Sequence, residues 1–284
     1  MRHLRALPWL VATACLVSAC SSTSGAGPAD PPAASAAAGP SSASASASAS
    51  EERNKALVLR LFDEGFNQNK TDVVQQLAGV DGPAKRFAEV KAKMPGAVAT
   101  VKHVAADGDL VAVHWHASAT PANEATGEAK ADLYRVDNGR LVEHWGITQT
   151  VPAKTASGNS LFSDVHKYPN GAPALAEEQE EANRKFAVEA YRTLSDGDAT
   201  VIDKSWDPRY YQHNPAAANG TGPLKQFMQQ AVPASAPATP TRFGHTLADA
   251  DLVWVFSSDY VVVDLFRVVD GKIIEHWDVV ADGQ

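Results

Sequence analysis

Three side chains near the C-terminal end have the types and spacing to handle a proton: Asp264, His276 and Asp278. They lie in the stretch 261–280, VVVDLFRVVDGKIIEHWDVV, which reads as two apolar-rich strands around a Gly-containing turn. A three-residue loop, Val269-Asp270-Gly271, would pair Val268 with Lys272, so that Asp264 faces His276 and Asp278 follows one pair on. Strand side chains alternate, so the three polar groups would share one face, while Leu265, Ile273 and Trp277 take the other. A two-residue Asp270-Gly271 loop would split them, and the three-residue loop is therefore preferred. A carboxylate in an apolar pocket has its pKa raised toward neutrality, and a second carboxylate raises one of the pair further. Asp278 is then a candidate general base, with His276 or His213 as proton donor. The bland alternative is a hydrogen-bonded network that only holds the sheet together.

The hairpin has a near copy at 129–147, AKADLYRVDNGRLVEHWGI, in which Gly146 stands where the later copy has Asp278. The copies extend upstream. Leu57, Val58, Leu61, Phe62 and Phe66 recur at helical spacing in 54–67, as do Phe186, Ala190, Tyr191 and Leu194 in 177–194. Short helices are expected at 71–77 and 199–206. Third helices open at Gly82-Pro83 and Gly222-Pro223, where proline suits the first turn. His103 and His245 begin matched strand pairs, and His114-Trp115-His116 lies on the first of these. Two alternating His share a face, but nothing completes a metal set, and a partly exposed strand is expected there. Each repeat thus runs three helices and then antiparallel strands, an α+β pattern. Asn54 to Gly82 spans 28 positions and Asn183 to Gly222 spans 39, so the first repeat lacks about eleven residues. The missing piece contains Tyr210-Tyr211-Gln212-His213-Asn214-Pro215.

The first 50 of the 284 residues are not expected to join this fold. Arg2 and Arg5 precede an apolar run that ends at Val17-Ser18-Ala19-Cys20, which is similar to a bacterial lipobox. That resemblance implies cleavage before Cys20 and a lipid on its thiol, hence an exported, membrane-anchored protein of the cell envelope, at the outer membrane in a Gram-negative host. The stretch 21–50 is almost all Ala, Ser, Gly and Pro and reads as a disordered tether. Cys15 and Cys20 are the chain's two cysteines, so the exported part has no disulfide. The leader carries two basic and no acidic residues, which takes the formal charge from −8 to −10 and argues against nucleic acid as partner.

Gln212-His213-Asn214-Pro215, Asp264-Leu265-Phe266-Arg267 and Glu275-His276-Trp277-Asp278 together resemble the SnoaL-like polyketide cyclase family. The first repeat ends like those proteins too, with Gln149-Thr150-Val151-Pro152 and Gly158-Asn159-Ser160-Leu161-Phe162. The resemblance implies two tandem NTF2-like cone-shaped barrels, at 51–162 and 177–284, joined by a linker at 163–176. It implies an intramolecular aldol closure with a pocket Asp as acid/base, without metal or cofactor; Asp278 matches that Asp. His213, Asn214, Tyr211, Phe227, Trp254 and Phe266, with Tyr210, would line a pocket for a small apolar molecule. Trp145 and Trp277, on the opposite sheet face, need cover, and the two repeats are expected to pack as an internal pseudo-dimer. Three functions stay open: a cofactor-free enzyme on a small carbonyl compound, a binding module with the same pocket, and an envelope protein whose pockets are filled with side chains.

Overall fold

The computed structural model describes residues 42–231 and 240–283. The lipobox and the leader lie outside the described residues. So does most of the expected tether, but its last nine residues do not behave as one. They open the first helix, α1 (Ser42–Arg60), which continues as a π-helical turn, Leu61–Asn67. The reason is local: this Ala/Ser run holds no Gly or Pro, Ala is the best helix former, and it leads directly into the apolar stripe of Val58, Leu61, Phe62 and Phe66, all buried.

The expected helix order holds in both halves. The first has α2 (Thr71–Leu77) and α3 (Gly82–Lys93), with proline in the first turn of α3. The second has α4 (Glu177–Ser195), α5 (Val201–Ser205) and α6 (Thr221–Ala231). Ala187, Ala190 and Leu194 bury one stripe of α4.

The first sheet runs β1 (Val98–Asp107), β2 (Leu110–Ser118), β3 (Glu128–Asp137) and β4 (Arg140–Thr150), antiparallel in chain order. The second has β6 (Phe243–Asp249), β7 (Leu252–Ser257), β8 (Val262–Val269) and β9 (Lys272–Val280) in the same arrangement. A fifth strand, β5 (Trp206–Gln212), runs parallel to the edge of β9. It comes from the piece the first repeat lacks. There the parallel edge shrinks to one bridge, Ala78 to Leu141, at the place where Trp206 meets Ile273 in the second half.

The turn of the β8–β9 hairpin corrects the expected register. Val269 pairs with Lys272, so the loop has two residues, Asp270 and Gly271, both at positive φ (50° and 69°). That is the mirror-image turn that two-residue hairpins favour. A β-bulge between Arg267 and Val268 on the pairing then absorbs one residue of β9. Beyond the bulge the faces are restored. Asp264 pairs directly with Asp278, and His276 pairs with Phe266 rather than with Asp264. Ile273, before the bulge, joins the helix side with Val268 instead of the Trp277 face. The β3–β4 hairpin does the same, with Asn138-Gly139 at positive φ and a bulge after Arg135.

In each half the helices cover one face of the sheet over its own apolar core. The opposite faces of the two sheets share a third cluster, in which Leu133, Ala131 and Ile147 join Trp254, Leu265 and Trp277. Trp277 is fully buried there and Trp145 partly buried. The contacts across this layer are reciprocal at matched positions. The Ala106 amide donates to Asp249, and the Ala248 amide donates to Asp107. His103 packs on Trp277 with ring centroids 4.6 Å apart, and His245 on Trp145 at 5.0 Å. β2 is buried along its whole length, so His114 and His116 are not on a partly exposed strand. His114 meets His103 with their Nδ1 atoms 3.0 Å apart, and His116 meets the Thr126 carbonyl.

The segment after the first sheet is held rather than free. The amides of Val165 and His166 donate to Glu275, and Asp164 pairs with Arg267 at 2.8 Å. The Trp277 indole donates to the Ser163 carbonyl. Among the described residues no helix is long and apolar enough to cross a membrane.

Candidate functional site

Strand alternation and the bulge place Asp264, His276 and Asp278 on the helix side of the second sheet. All three are buried. They line a cavity of about 280 Å³ between that sheet, α4 and α6. Tyr191 and Leu194 come from α4, Leu224, Phe227 and Met228 from α6, and Phe266 from β8. The walls are apolar and the polar groups converge on one side, the usual composition of a small-molecule site.

His276 Nε2 lies 2.9 Å from Asp264 Oδ1, and its Nδ1 lies 2.8 Å from Gln212 Oε1. Asn214 donates from its side chain to Asp278 Oδ2. The other Asp278 oxygen, Oδ1, is buried with no hydrogen-bond partner. Burial pushes the Asp278 carboxyl up from 3.8 to about 6; His276 opposes the shift and Asp264 adds to it. Tyr191, against Asp264, is pushed well above its ordinary value by burial and then by that carboxylate, so it stays a neutral donor. One ligand atom from each of Asp264, His276 and Asp278 lies within 4.8 Å of the others, a spacing that one cation could also bridge.

Asn214, Phe227 and Phe266 line the cavity. His213, Tyr211 and Trp254, expected on its wall, do not. β5 alternates like any strand, so Tyr210 and Gln212 point into the cavity, and Tyr211 and His213 do not line it. His213 is fully buried between the Ser160 carbonyl and Glu275 and stacks on Trp277, so it cannot reach a ligand at Asp278. Trp254 pairs with Leu265 and belongs to the layer between the sheets. Gln212 faces the cavity although its motif alone assigns it no role; alternation from Tyr210 is the sequence signal that places it there. Tyr191, Leu224 and Met228 were equally missed, since helix periodicity marks a buried face and not whether that face meets a core or a cavity.

The matched place in the first half is closed. Asp132 is fully buried and pairs with the Arg86 guanidinium at 2.5 Å and His144 Nε2 at 2.6 Å, and the Trp115 indole donates to it. Burial alone would raise its pKa, but Arg86 and His144 outweigh that and hold it below the ordinary range. A side chain at Gly146 would begin 2.8 Å from the Arg86 guanidinium carbon and 2.8 Å from Asp132 Oδ1. Arg86 therefore occupies the space that Asp278 uses in the second half. Phe62, Phe66, Phe87 and Trp115 fill the rest with edge-to-face contacts.

The chain is thus an α+β protein of two antiparallel-based sheets, each covered by helices, with a buried Asp–His–Asp cluster on a cavity in the second half. Residues 43–156 match the model of the SnoaL-like polyketide cyclase family and form a SnoaL-like domain. The match lies on the half whose site is closed. Wild-type IdmH from Streptomyces antibioticus is similar over 34% of this chain and 94% of its own, at 22% identity and a TM-score of 0.29. A SnoaL-like protein from Jannaschia sp. CCS1 covers 35% of this chain and 87% of its own at 21% identity and a TM-score of 0.29. An NTF2-like protein of unknown function from Mesorhizobium loti covers 38% and 97% at 18% identity and a TM-score of 0.30. No curated protein is significantly similar to the chain.

Proposed function

We propose that the second half is a cofactor-free acid/base site for a small apolar carbonyl compound, with Asp278 as the base. The observation that carries this reading is Asp278 Oδ1: a buried carboxylate oxygen without a partner, on the wall of an apolar cavity. Desolvation keeps the carboxyl's pKa near 6, so at neutral pH it is an ionised base stronger than an ordinary Asp. In the step proposed, Oδ1 takes a proton from the carbon next to the carbonyl, the C–H electron pair moves into the enol double bond, and the carbonyl oxygen takes the proton held between His276 and Asp264. The enol carbon can then attack a second carbonyl of the same molecule, whose oxygen takes the proton from Asp278 while the enol O–H gives its proton back to the His276–Asp264 pair, as in an aldol closure; or Asp278 can deliver its proton to a different carbon of the enol with the same return from the O–H, as in an isomerisation.

The test is solvent deuterium incorporation next to the carbonyl in a panel of small apolar ketones and aldehydes, followed by NMR. Exchange should be catalysed by the intact chain and should fall about a hundredfold or more in Asp278→Asn while binding changes little. Exchange at an unchanged rate in that variant removes Asp278 from the role of base. If a ligand binds and no exchange occurs with any compound, the second reading holds: a binding module that captures a small molecule without turning it over. The export signal favours that reading, because carbonyl precursors of biosynthesis are made inside the cell.

The placement proposed is the bacterial cell envelope, through a lipid on Cys20, and its support is the motif Val17-Ser18-Ala19-Cys20. Cys20→Ala should move the protein from the membrane to the soluble fraction. We further propose that the halves act as an internal pseudo-dimer; the paired contacts Ala106–Asp249 and Ala248–Asp107 support it, since a two-fold pairing makes each contact twice.

A further inference from the structure

We infer that Gln212 is a positioning residue that fixes the His276 ring with a proton on Nδ1, so that one proton is trapped between His276 Nε2 and Asp264 at the edge of the cavity. The inference rests on the functional reading above and adds to it the residue that orients the acid.

Two backbone groups beside Gln212 have fixed hydrogen-bond roles. The backbone amides of His213 and Asn214 can only donate, and both do so to the same atom of Gln212, each at 2.9 Å. That atom is therefore the amide oxygen, and the amide nitrogen is the one that donates to the Tyr210 hydroxyl at 3.2 Å. His276 Nδ1 lies 2.8 Å from this oxygen, so Nδ1 must carry a hydrogen. A neutral imidazole protonated at Nδ1 has a bare lone pair at Nε2. Here Nε2 points at a carboxylate oxygen of Asp264 at 2.9 Å. Two lone pairs do not sit at that distance in a buried site without a proton between them. The bond is an imidazolium on a carboxylate or an imidazole on a carboxylic acid. In either form one dissociable proton is stored within reach of the cavity, beside an Asp278 oxygen that has none.

The first half supplies a natural control. His144 makes the same bond to Asp132, but the segment that carries Gln212 has no counterpart there. Arg86 already supplies the charge that holds Asp132 ionised. His144 can therefore donate from Nε2 as a neutral ring and needs no second proton. The two His–Asp pairs look alike and differ in proton content because one has an acceptor behind the ring.

Two-dimensional NMR of the ring nitrogens in the full chain, labelled with ¹⁵N-histidine, tests this without any substrate. His276→Gln and His144→Gln assign the two signals. His276 should show a protonated Nδ1 at neutral pH and an additional exchange-protected proton shared with Asp264; His144 should show protonation at Nε2 with a bare Nδ1. Gln212→Leu should release the ring, giving the mixed tautomer signal of an unconstrained imidazole, while Gln212→Glu, which keeps an acceptor, should retain the protonated Nδ1. A bare Nδ1 on His276 in the wild-type protein overturns the inference, and so does a Gln212→Leu spectrum identical to wild type. Should Gln212→Leu fail to fold, the wild-type spectrum and Gln212→Glu still decide it. None of these readouts depends on turnover, so loss of the functional reading through Asp278→Asn and loss of this one are separate results.

Discussion

Two buried aspartates occupy matched strands, Asp132 on β3 and Asp264 on β8, and each bonds a histidine two residues before the position where Gly146 or Asp278 stands. Around Asp132 the chain places a cation, Arg86, and fills the space with aromatic rings. Around Asp264 it places a second carboxylate, and at the position matching Arg86 it has Gln226, which is exposed. The pairs Arg86/Gly146 and Gln226/Asp278 are thus exchanged as units. The lesson is that a cavity and a core can be alternative fillings of one scaffold. A cation satisfies a lone buried carboxylate and closes the space; a second carboxylate leaves an unsatisfied oxygen that needs a ligand, a proton or water.

The sharpest way to break this contrast is to remove the cation. Arg86→Ala strands the Asp132 charge in the core and should cost roughly 3–5 kcal/mol in urea unfolding, whereas Gln226→Ala should lie within about 0.5 kcal/mol of wild type. Gly146→Asp, which writes the second half's residue into the first, should cost about 3 kcal/mol through overpacking against Arg86 and Asp132. Combined with Arg86→Gln it should be less damaging than the two single costs added, by more than about 1 kcal/mol in a double-mutant cycle.

Removing the charge at Asp278 should do the opposite of removing Arg86. The folded-state pKa of about 6 lies above the ordinary 3.8, so the native protein binds this proton more tightly than the unfolded chain does. Stability is lost as pH rises from about 4 to about 6, and the full cost persists above that. Asp278→Asn should therefore stabilise the protein at pH 8 by roughly 1–3 kcal/mol, with the gain vanishing near pH 4. A carboxylate whose removal stabilises the fold is one kept for a purpose other than stability.

The smallest effect concerns the layer between the sheets, where His114 matches Phe256. Burial, then His103 and His213, push the His114 pKa well below 6.5, so the folded protein resists charging it. The unfolded chain binds that proton readily, and stability falls as pH drops below about 6.5. His114→Phe should flatten the loss between pH 7 and pH 5 by about 1 kcal/mol, read as a change in slope of unfolding free energy against pH.

Much of this was legible in the sequence for a physical reason: period-2 and period-3.6 patterns repeated twice leave few ways to pair the strands. The helix order, the hairpins and the set Asp264, His276 and Asp278 followed from it. The loop length did not, because a bulge and a longer loop both return three residues to one face, and pattern alone does not separate them. His213 and Tyr211 were misplaced because the resemblance puts neighbouring residues of 210–214 on the pocket wall together, whereas strand alternation puts Tyr210 and Gln212 on one side and Tyr211 and His213 on the other. Trp254 could have been placed, since it pairs with Leu265, a residue already given to the opposite face. Arg86 could not. Gly146 announces a missing carboxylate and says nothing about which distant side chain moves into its place.

The segment Ser163 to His166 sets a limit on how this protein can be taken apart. It satisfies Glu275 with two amides, pairs with Arg267 and accepts from Trp277. A fragment beginning at α4 would keep every helix and strand of the second half and still leave that carboxylate short of donors and that indole uncovered. The two halves can be read separately as text, but the second has no clean edge at which to cut: its back wall is written in residues that precede it.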